Sequence, residues 1–183
     1  MVNRLTVIAG PTAVGKGTVI RHILENHPEI RLSVSATTRA PRPGEIDGVS
    51  YHFLTPEEFD SRISAGEMLE YAVVHGQHKY GTLRGPVEDA LAAGEQLILE
   101  IDIQGARQVK KAMPTANLVF IAPPSWEELV RRLTTRGTEN EQEQIRRLET
   151  ARLELAAQSE FDHVVINDDV ADCAARVVNL MQG

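Results

Sequence analysis

The chain has 183 residues, of which 42% are hydrophobic and 25% charged, with a formal net charge of -7. That length holds one domain with a sizeable core and room for an inserted subdomain, and the composition fits neither a disordered chain nor a membrane protein. The acidic balance argues against a nucleic acid polymer as partner, so any phosphate chemistry has to use local clusters of Arg and Lys.

The first apolar run, Leu5-Thr6-Val7-Ile8-Ala9, is short, β-branched and bounded by glycine, which predicts a buried strand. It leads through Gly10-Pro11-Thr12-Ala13-Val14-Gly15-Lys16-Gly17-Thr18 into a helix around Val19–Leu24. Strand, glycine loop, lysine and helix form a phosphate-binding arrangement. The glycines let backbone N–H groups converge on phosphate oxygens, the helix N-terminus adds its positive dipole end, and Lys16 reaches the β- and γ-phosphates. Gly17 stands where a Ser or Thr hydroxyl normally meets magnesium, and Thr18 comes one residue later. A plain glycine turn with an exposed lysine is the alternative.

Ile30–Ser35 alternates apolar and polar residues and predicts a second strand. The prolines and glycine of Ala36–Gly44 then hold Arg39 and Arg42 in an extended, stiffened loop. Tyr51–Leu54 is a short predicted strand, and Thr55-Pro56-Glu57-Glu58 supplies a capping box for a helix to about Gly66. Met68–Val74 and the segment around Tyr80-Gly81-Thr82 read as the arms of a hairpin.

From Gly85 the pattern becomes regular. Helices are predicted over Pro86–Ala93 and Gly105–Ala112, and strands over Gln96–Asp102 and Asn117–Ala122. Ser125-Trp126-Glu127-Glu128 is a second capping box, opening a helix to about Thr135; Gly137 breaks it, and Thr138–Glu141 caps a long helix to about Ser159. Asp162–Asn167 is the last strand and a helix follows Asp168-Asp169. The alternation predicts a mostly parallel sheet with helices on both faces, interrupted by an insertion from about Arg39 to Gly85.

In such a sheet ligands sit beyond the carboxyl ends of the strands, where the glycine loop, Ser35, Glu100, Asp102 and Asn167 fall. Period-two geometry puts Glu100 and Asp102 on one face of their strand, with Ile101 turned away, able to order the water shell of a magnesium ion or to accept from a substrate. A solvated strand end is the alternative. Arg132 and Arg136 are spaced i, i+4, and Arg146 and Arg147 lie beyond the Gly137 break, as in a lid that brings guanidinium groups to a transferring phosphoryl. A solvated helix face is again the alternative. A phosphate acceptor is already ionised, so no general base is required, which fits a chain with no convincing Ser/His/Asp or Cys/His set.

His75 and His78 lack a third ligand nearby and read as structural or solvated. Cys173, the one cysteine, reads as packed rather than reactive, and so does Trp126. The first strand begins within about four residues of Met1, too soon for a signal peptide, and no apolar run approaches ~18 residues. The expectation is a soluble cytoplasmic protein.

Taken together, the phosphate loop, Ser35–Glu45 with its Ser-x3-Arg-x2-Arg pattern, Asp47–Phe53, Tyr80-Gly81-Thr82, Glu100–Gly105, Arg136–Glu139 and Arg147-Leu148 resemble guanylate kinases over nearly the whole chain. The resemblance implies ATP- and magnesium-dependent phosphorylation of GMP to GDP. It implies a core of about 1–38, 84–135 and 159–183, a GMP-binding insertion of about 39–83 and a lid of about 136–158. It also implies that Gly10 to Thr18, Arg132 and Asn167 bind ATP and that Lys16, Arg39, Arg136 and Arg147 act on the transferred group. Ser35, Arg39, Arg42, Tyr51 and Tyr80 would hold the GMP phosphate, Glu70, Thr82 and Asp102 would read guanine, and Glu100 would meet magnesium through water. Guanine offers N1–H and N2–H to a carboxylate such as Glu70 and O6 to the Thr82 hydroxyl. A ribosyl bisphosphate kinase of the same fold, which would not need Glu70 and Thr82, and a non-catalytic interaction module, which typically loses the loop lysine, are the alternatives. A homo-oligomer is left open.

Overall fold

The computed structural model describes residues 4–74, 77–134 and 141–183. Arg136, His75 and the Gly137–Asn140 break and cap lie outside them.

A five-stranded sheet forms the centre. Its strands are β1 (Leu5–Ala9), β2 (Ile30–Leu32), β7 (Gln96–Glu100), β8 (Asn117–Ala122) and β9 (His163–Ile166), in the order β2-β7-β1-β8-β9, and every pair is parallel. β1 and β8 are buried at every position, Thr6 and Asn117 included, as nearly continuous apolar runs between two helical layers must be. The pleat divides the core in two. Leu5, Val7 and Ala9 join Leu97, Leu99 and Leu118 under α3 (Arg84–Ala92) and α4 (Ile103–Ala112). Ile8, Ile98, Val119, Ile121 and Val165 face α1 (Lys16–Asn26), α5 (Trp126–Thr134), α6 (Glu141–Ala156) and α7 (Val170–Gln182).

A second sheet, in the order β4-β3-β6-β5, comprises β3 (Ser35–Thr37), β4 (His52–Phe53), β5 (Met68–Val74) and β6 (His78–Leu83). The β5/β6 hairpin is antiparallel, and α2 (Pro56–Ser64) packs Phe59 against Ala36 and Met68 of this sheet. The Thr55 capping box is complete, with the Thr55 hydroxyl accepting from Glu58 N–H and the Glu58 carboxylate accepting from Thr55 N–H.

Three local expectations change. The predicted strand Ile30–Ser35 is two strands in different sheets: β2 pairs with β7, whereas β3 pairs with β6 at Ser35↔Thr82. Hydropathy alternation continues through the junction, so it does not reveal the change of partner. The strand before α4 ends at Glu100, and Asp102 caps that helix by accepting from Gly105 N–H at 2.7 Å. Glu100 and Asp102 are therefore not on one strand face. At Ser125 the hydroxyl caps Glu128 N–H, but the Glu128 carboxylate engages Arg131 and Arg132, so the second box is answered by ion pairs on its own helix.

Cys173 is fully buried, which pushes its thiol up to about 11. Trp126 packs on the core with the Arg152 guanidinium 5.0 Å from its ring centroid. Among the described residues no helix is long and apolar enough to cross a membrane.

Candidate functional site

The glycine loop turns between β1 and α1, and its backbone is fixed by neighbours. Gly10 has φ +148, and a Cβ there would fall on the Ile121 carbonyl of β8. Gly15, at φ +98, caps α1, and a Cβ would meet Asn167 Nδ2 at 2.7 Å. Both positions therefore demand glycine. The Val14 carbonyl between them accepts from Asn167 Nδ2 at 2.8 Å and from Arg132 Nη1 at 3.1 Å. Arg132 Nη2 also donates to the Asn167 carbonyl at 3.2 Å. In this structure Arg132 and the buried Asn167 thus clamp the loop from behind.

Lys16 Nζ donates to the Gly10 and Pro11 carbonyls at 2.7 and 3.1 Å. Burial pushes its pKa below the ordinary lysine value, because the ammonium loses hydration; Glu100, Glu154 and Asp102 act in the opposite direction. Burial raises Glu100 above the usual carboxylate range, opposed by Lys16.

In front of the loop lies a cleft of about 650 Å³, walled by the second sheet, the start of α4 and one face of α6. It gathers Gly10, Thr12, Lys16, Ser35, Tyr51, Glu70, Tyr80, Glu100 and Asp102 from segments far apart in the chain. At one side Arg39 Nε donates to the Tyr80 hydroxyl at 3.2 Å, its other nitrogens grip Glu45 at 3.0 and 2.8 Å, and its guanidinium lies 5.4 Å from the Tyr51 ring centroid. Arg42 presents an exposed side chain, while its backbone N–H donates to Glu45.

Among the charged residues that line the cleft, Glu70 is buried at 3% exposure. Its Oε1 accepts from the buried Thr82 hydroxyl at 2.7 Å. A Cβ on Gly105 would come within 2.5 Å of Oε2, so that glycine makes room for the carboxylate. Burial lifts Glu70 to about 7; the Thr82 hydrogen bond opposes this and the charge of Asp102 adds to it. A buried acceptor pair beside a lysine-bearing phosphate loop is equipped to read an amide-like donor edge and to hold phosphates within reach of it.

The Guanylate kinase family model matches residues 2–183. The chain belongs to the guanylate kinase family. It is 63% identical to the guanylate kinase of Leifsonia xyli subsp. xyli over 97% of this chain and 70% of that protein. To the guanylate kinase of Nocardia farcinica it is 58% identical, over 97% of this chain and 92% of that protein. The crystal structure of guanylate kinase from Anaplasma phagocytophilum superposes with a TM-score of 0.79 at 35% identity, covering 98% of this chain and 85% of that one. A gluconokinase from Sinorhizobium meliloti, at 15% identity and a TM-score of 0.51, shares the fold alone. The chain is a phosphotransferase, and its reaction is the ATP-dependent phosphorylation of GMP.

Within this guanylate kinase fold, two features went unread in the sequence. Glu45 is the brace that holds Arg39. Glu154 of α6 accepts from Thr12 N–H at 3.2 Å and lines the cleft together with Thr150 and Gln104. The available signal was helical spacing: Arg147, Thr150 and Glu154 share one stripe of α6, at i, i+3 and i+7. Arg147 is half-buried on that stripe.

Proposed function

We propose that ATP lies with its phosphates over the Gly10 to Thr18 loop and that GMP enters the adjoining cleft with its base against Glu70 and its phosphate toward Ser35, Arg39, Arg42, Tyr51 and Tyr80. The observation that carries this reading is the Glu70 carboxylate, buried at 3% exposure and hydrogen-bonded to Thr82, in the cleft that also holds Lys16. Ionised, Glu70 accepts N1–H and N2–H of guanine together; adenine offers an acceptor at N1 and leaves a buried partner unpaired. Thr82 turns its proton from Glu70 to guanine O6 as the base enters. Asp102, anchored by Gly105 N–H, completes the base pocket.

For transfer, Lys16 leaves the Gly10 and Pro11 carbonyls for the β- and γ-phosphates. Arg39, Arg147 and Arg136 bring positive charge to the equatorial oxygens, which carry negative charge in the transition state of phosphoryl transfer. The GMP phosphate attacks as an anion, so no residue has to remove a proton. Arg132 and Asn167 act on ATP through the loop they hold. Among the described residues no group of three His, Cys, Asp or Glu forms a metal cluster, and Gly17 offers no hydroxyl. Phosphate oxygens and water are thus the fitting direct ligands for magnesium, with Glu100 beside Lys16 as an outer partner. Bound with ATP, the ion would neutralise β- and γ-oxygens. We place the enzyme in the cytoplasm, with ATP and GMP as its partners, and treat residues 39–83 and 136–158 as segments that close over them.

ADP release is measured from ATP and magnesium with GMP, AMP, UMP or a ribosyl bisphosphate as acceptor. Turnover confined to GMP is the expected result. Turnover with the ribosyl compound would keep the phosphate loop and remove Glu70 and Thr82 as base readers.

A further inference from the structure

Helix α6 brings a negative charge onto the phosphate loop. Glu154 Oε2 accepts the Thr12 N–H at 3.2 Å, and the loop is the element whose N–H groups receive phosphate oxygens. A carboxylate oxygen on such a donor has the place and the charge of a phosphate oxygen. The side chain is half-buried, and Thr150, one turn earlier, faces the same cleft. Lys16 is already surrounded by Glu154, Glu100 and Asp102. A triphosphate entering this setting meets like charge as well as its lysine.

We propose that Glu154 is a latch, carried by the lid helix, that competes with the ATP phosphates for the Thr12 N–H and so couples ATP binding to release of α6 from the loop. The inference rests on the reading of the loop as the ATP site. Glu154 touches the loop and not the transferred group, so it is a positioning residue. It lowers ATP affinity while α6 is docked, and it ties the exposure of the loop donors to movement of the helix that bears Arg147. ATP therefore settles fully only when the lid rearranges, which restrains hydrolysis before GMP arrives.

The test titrates the full chain with the β,γ-imido analogue of ATP plus magnesium, and separately with adenosine, in the parent protein and in Glu154→Gln, Glu154→Ala and Lys16→Ala. Gln removes the charge with almost no change of shape, and Ala removes charge and acceptor together. Both Glu154 variants should bind the analogue roughly tenfold more tightly, within the range of ordinary coupling between sites, with adenosine affinity and the KM for GMP unchanged. ATP hydrolysis without GMP should rise in both. If Ala impairs folding, seen as a lost cooperative melt, Gln alone decides. Unchanged or weaker analogue binding in the Glu154 variants would overturn the latch while Lys16→Ala still weakened binding and preserved the loop reading. Equal shifts for analogue and adenosine would also overturn it, since a residue that merely stabilised α6 would move both. Analogue affinity unaffected by Lys16→Ala would instead discard the loop as the ATP site.

Discussion

The two halves of the cleft are built on different principles. The phosphate loop is backbone made rigid: Gly10 and Gly15 occupy conformations that a side chain would obstruct, and Arg132 and Asn167 grip the Val14 carbonyl from the parallel-sheet side. The proposed base pocket turns on one side chain in an unfavourable place: Glu70 is buried, held by the Thr82 hydroxyl, and lifted to about 7. A loop of backbone donors recognises any polyphosphate, whereas a buried carboxylate recognises one arrangement of hydrogen-bond donors. On the proposed reading, generality and selectivity are assigned to separate sheets, and each can be broken without the other.

The largest effect should come from the loop. Lys16→Ala is expected to lower kcat by about 1,000-fold, the scale of losing a preorganised charge at a transferring group. The fold should survive, because the Lys16 hydrogen bonds run only to its own loop. Steady-state kinetics beside a thermal melt check both halves; near-normal turnover would mean that the rigid loop is not where transfer is stabilised.

Glu70→Gln addresses the other half. It replaces one acceptor oxygen with a donor facing guanine N–H groups, and kcat/KM for GMP should fall by about 100-fold with the KM for ATP within about twofold of the parent value. An unchanged preference for GMP over AMP would place base reading elsewhere and dissolve the distinction between the two halves.

How much of this contrast is visible in the amino-acid order follows from its physical basis. The loop was legible because its requirements are local: glycines at fixed spacing after a buried run and a lysine at a helix start. Arg39 and Glu70 were read through family resemblance, and their surroundings were not readable at all. No periodicity states that Gly105 lies against the Glu70 carboxylate, that Glu45 clamps Arg39, or that β3 leaves its neighbour β2 for another sheet. These are consequences of long-range packing. The same holds for Arg132 and Asn167, whose sequence positions suggested ligands and whose side chains hold the loop backbone.

Acidity sharpens the comparison at smaller magnitude. If Glu70 reads guanine as proposed, the base needs its ionised form, so protonation below about 7 removes binding-competent protein. The KM for GMP should rise about tenfold between pH 8 and pH 6, since each unit below the pKa costs about a factor of ten in the ionised fraction. The GMP phosphate also titrates near pH ~6. Glu70→Gln separates the two, because it retains only the phosphate contribution and should flatten the rest. For stability the sign runs the other way. A carboxyl lifted to about 7 from an ordinary 4.5 binds protons more tightly when folded, so stability from this group declines as pH rises across that window. Added GMP should offset the decline. A pH-independent KM would show that Glu70 is ionised well below neutrality when the base is read.

The smallest effect concerns strain within the rigid half. Ala13 has φ 65, the one non-glycine residue in the left-handed region among those described. For an alanine that conformation costs on the order of 1 kcal/mol, and it is held by the neighbouring turn, in which Val14 N–H donates to the Pro11 carbonyl at 3.3 Å. Ala13→Gly removes the steric conflict but gives the unfolded chain more freedom, and the two contributions oppose each other. A net stabilisation of about 0.5 kcal/mol is expected, seen as a rise of about 1–2 °C in Tm. The KM for GMP should not move, because the strain lies on the polyphosphate side of the cleft. A fall in Tm would mean that the clamps on Val14 make the left-handed turn comfortable for alanine, so that the loop's rigidity comes from its partners rather than from stored strain.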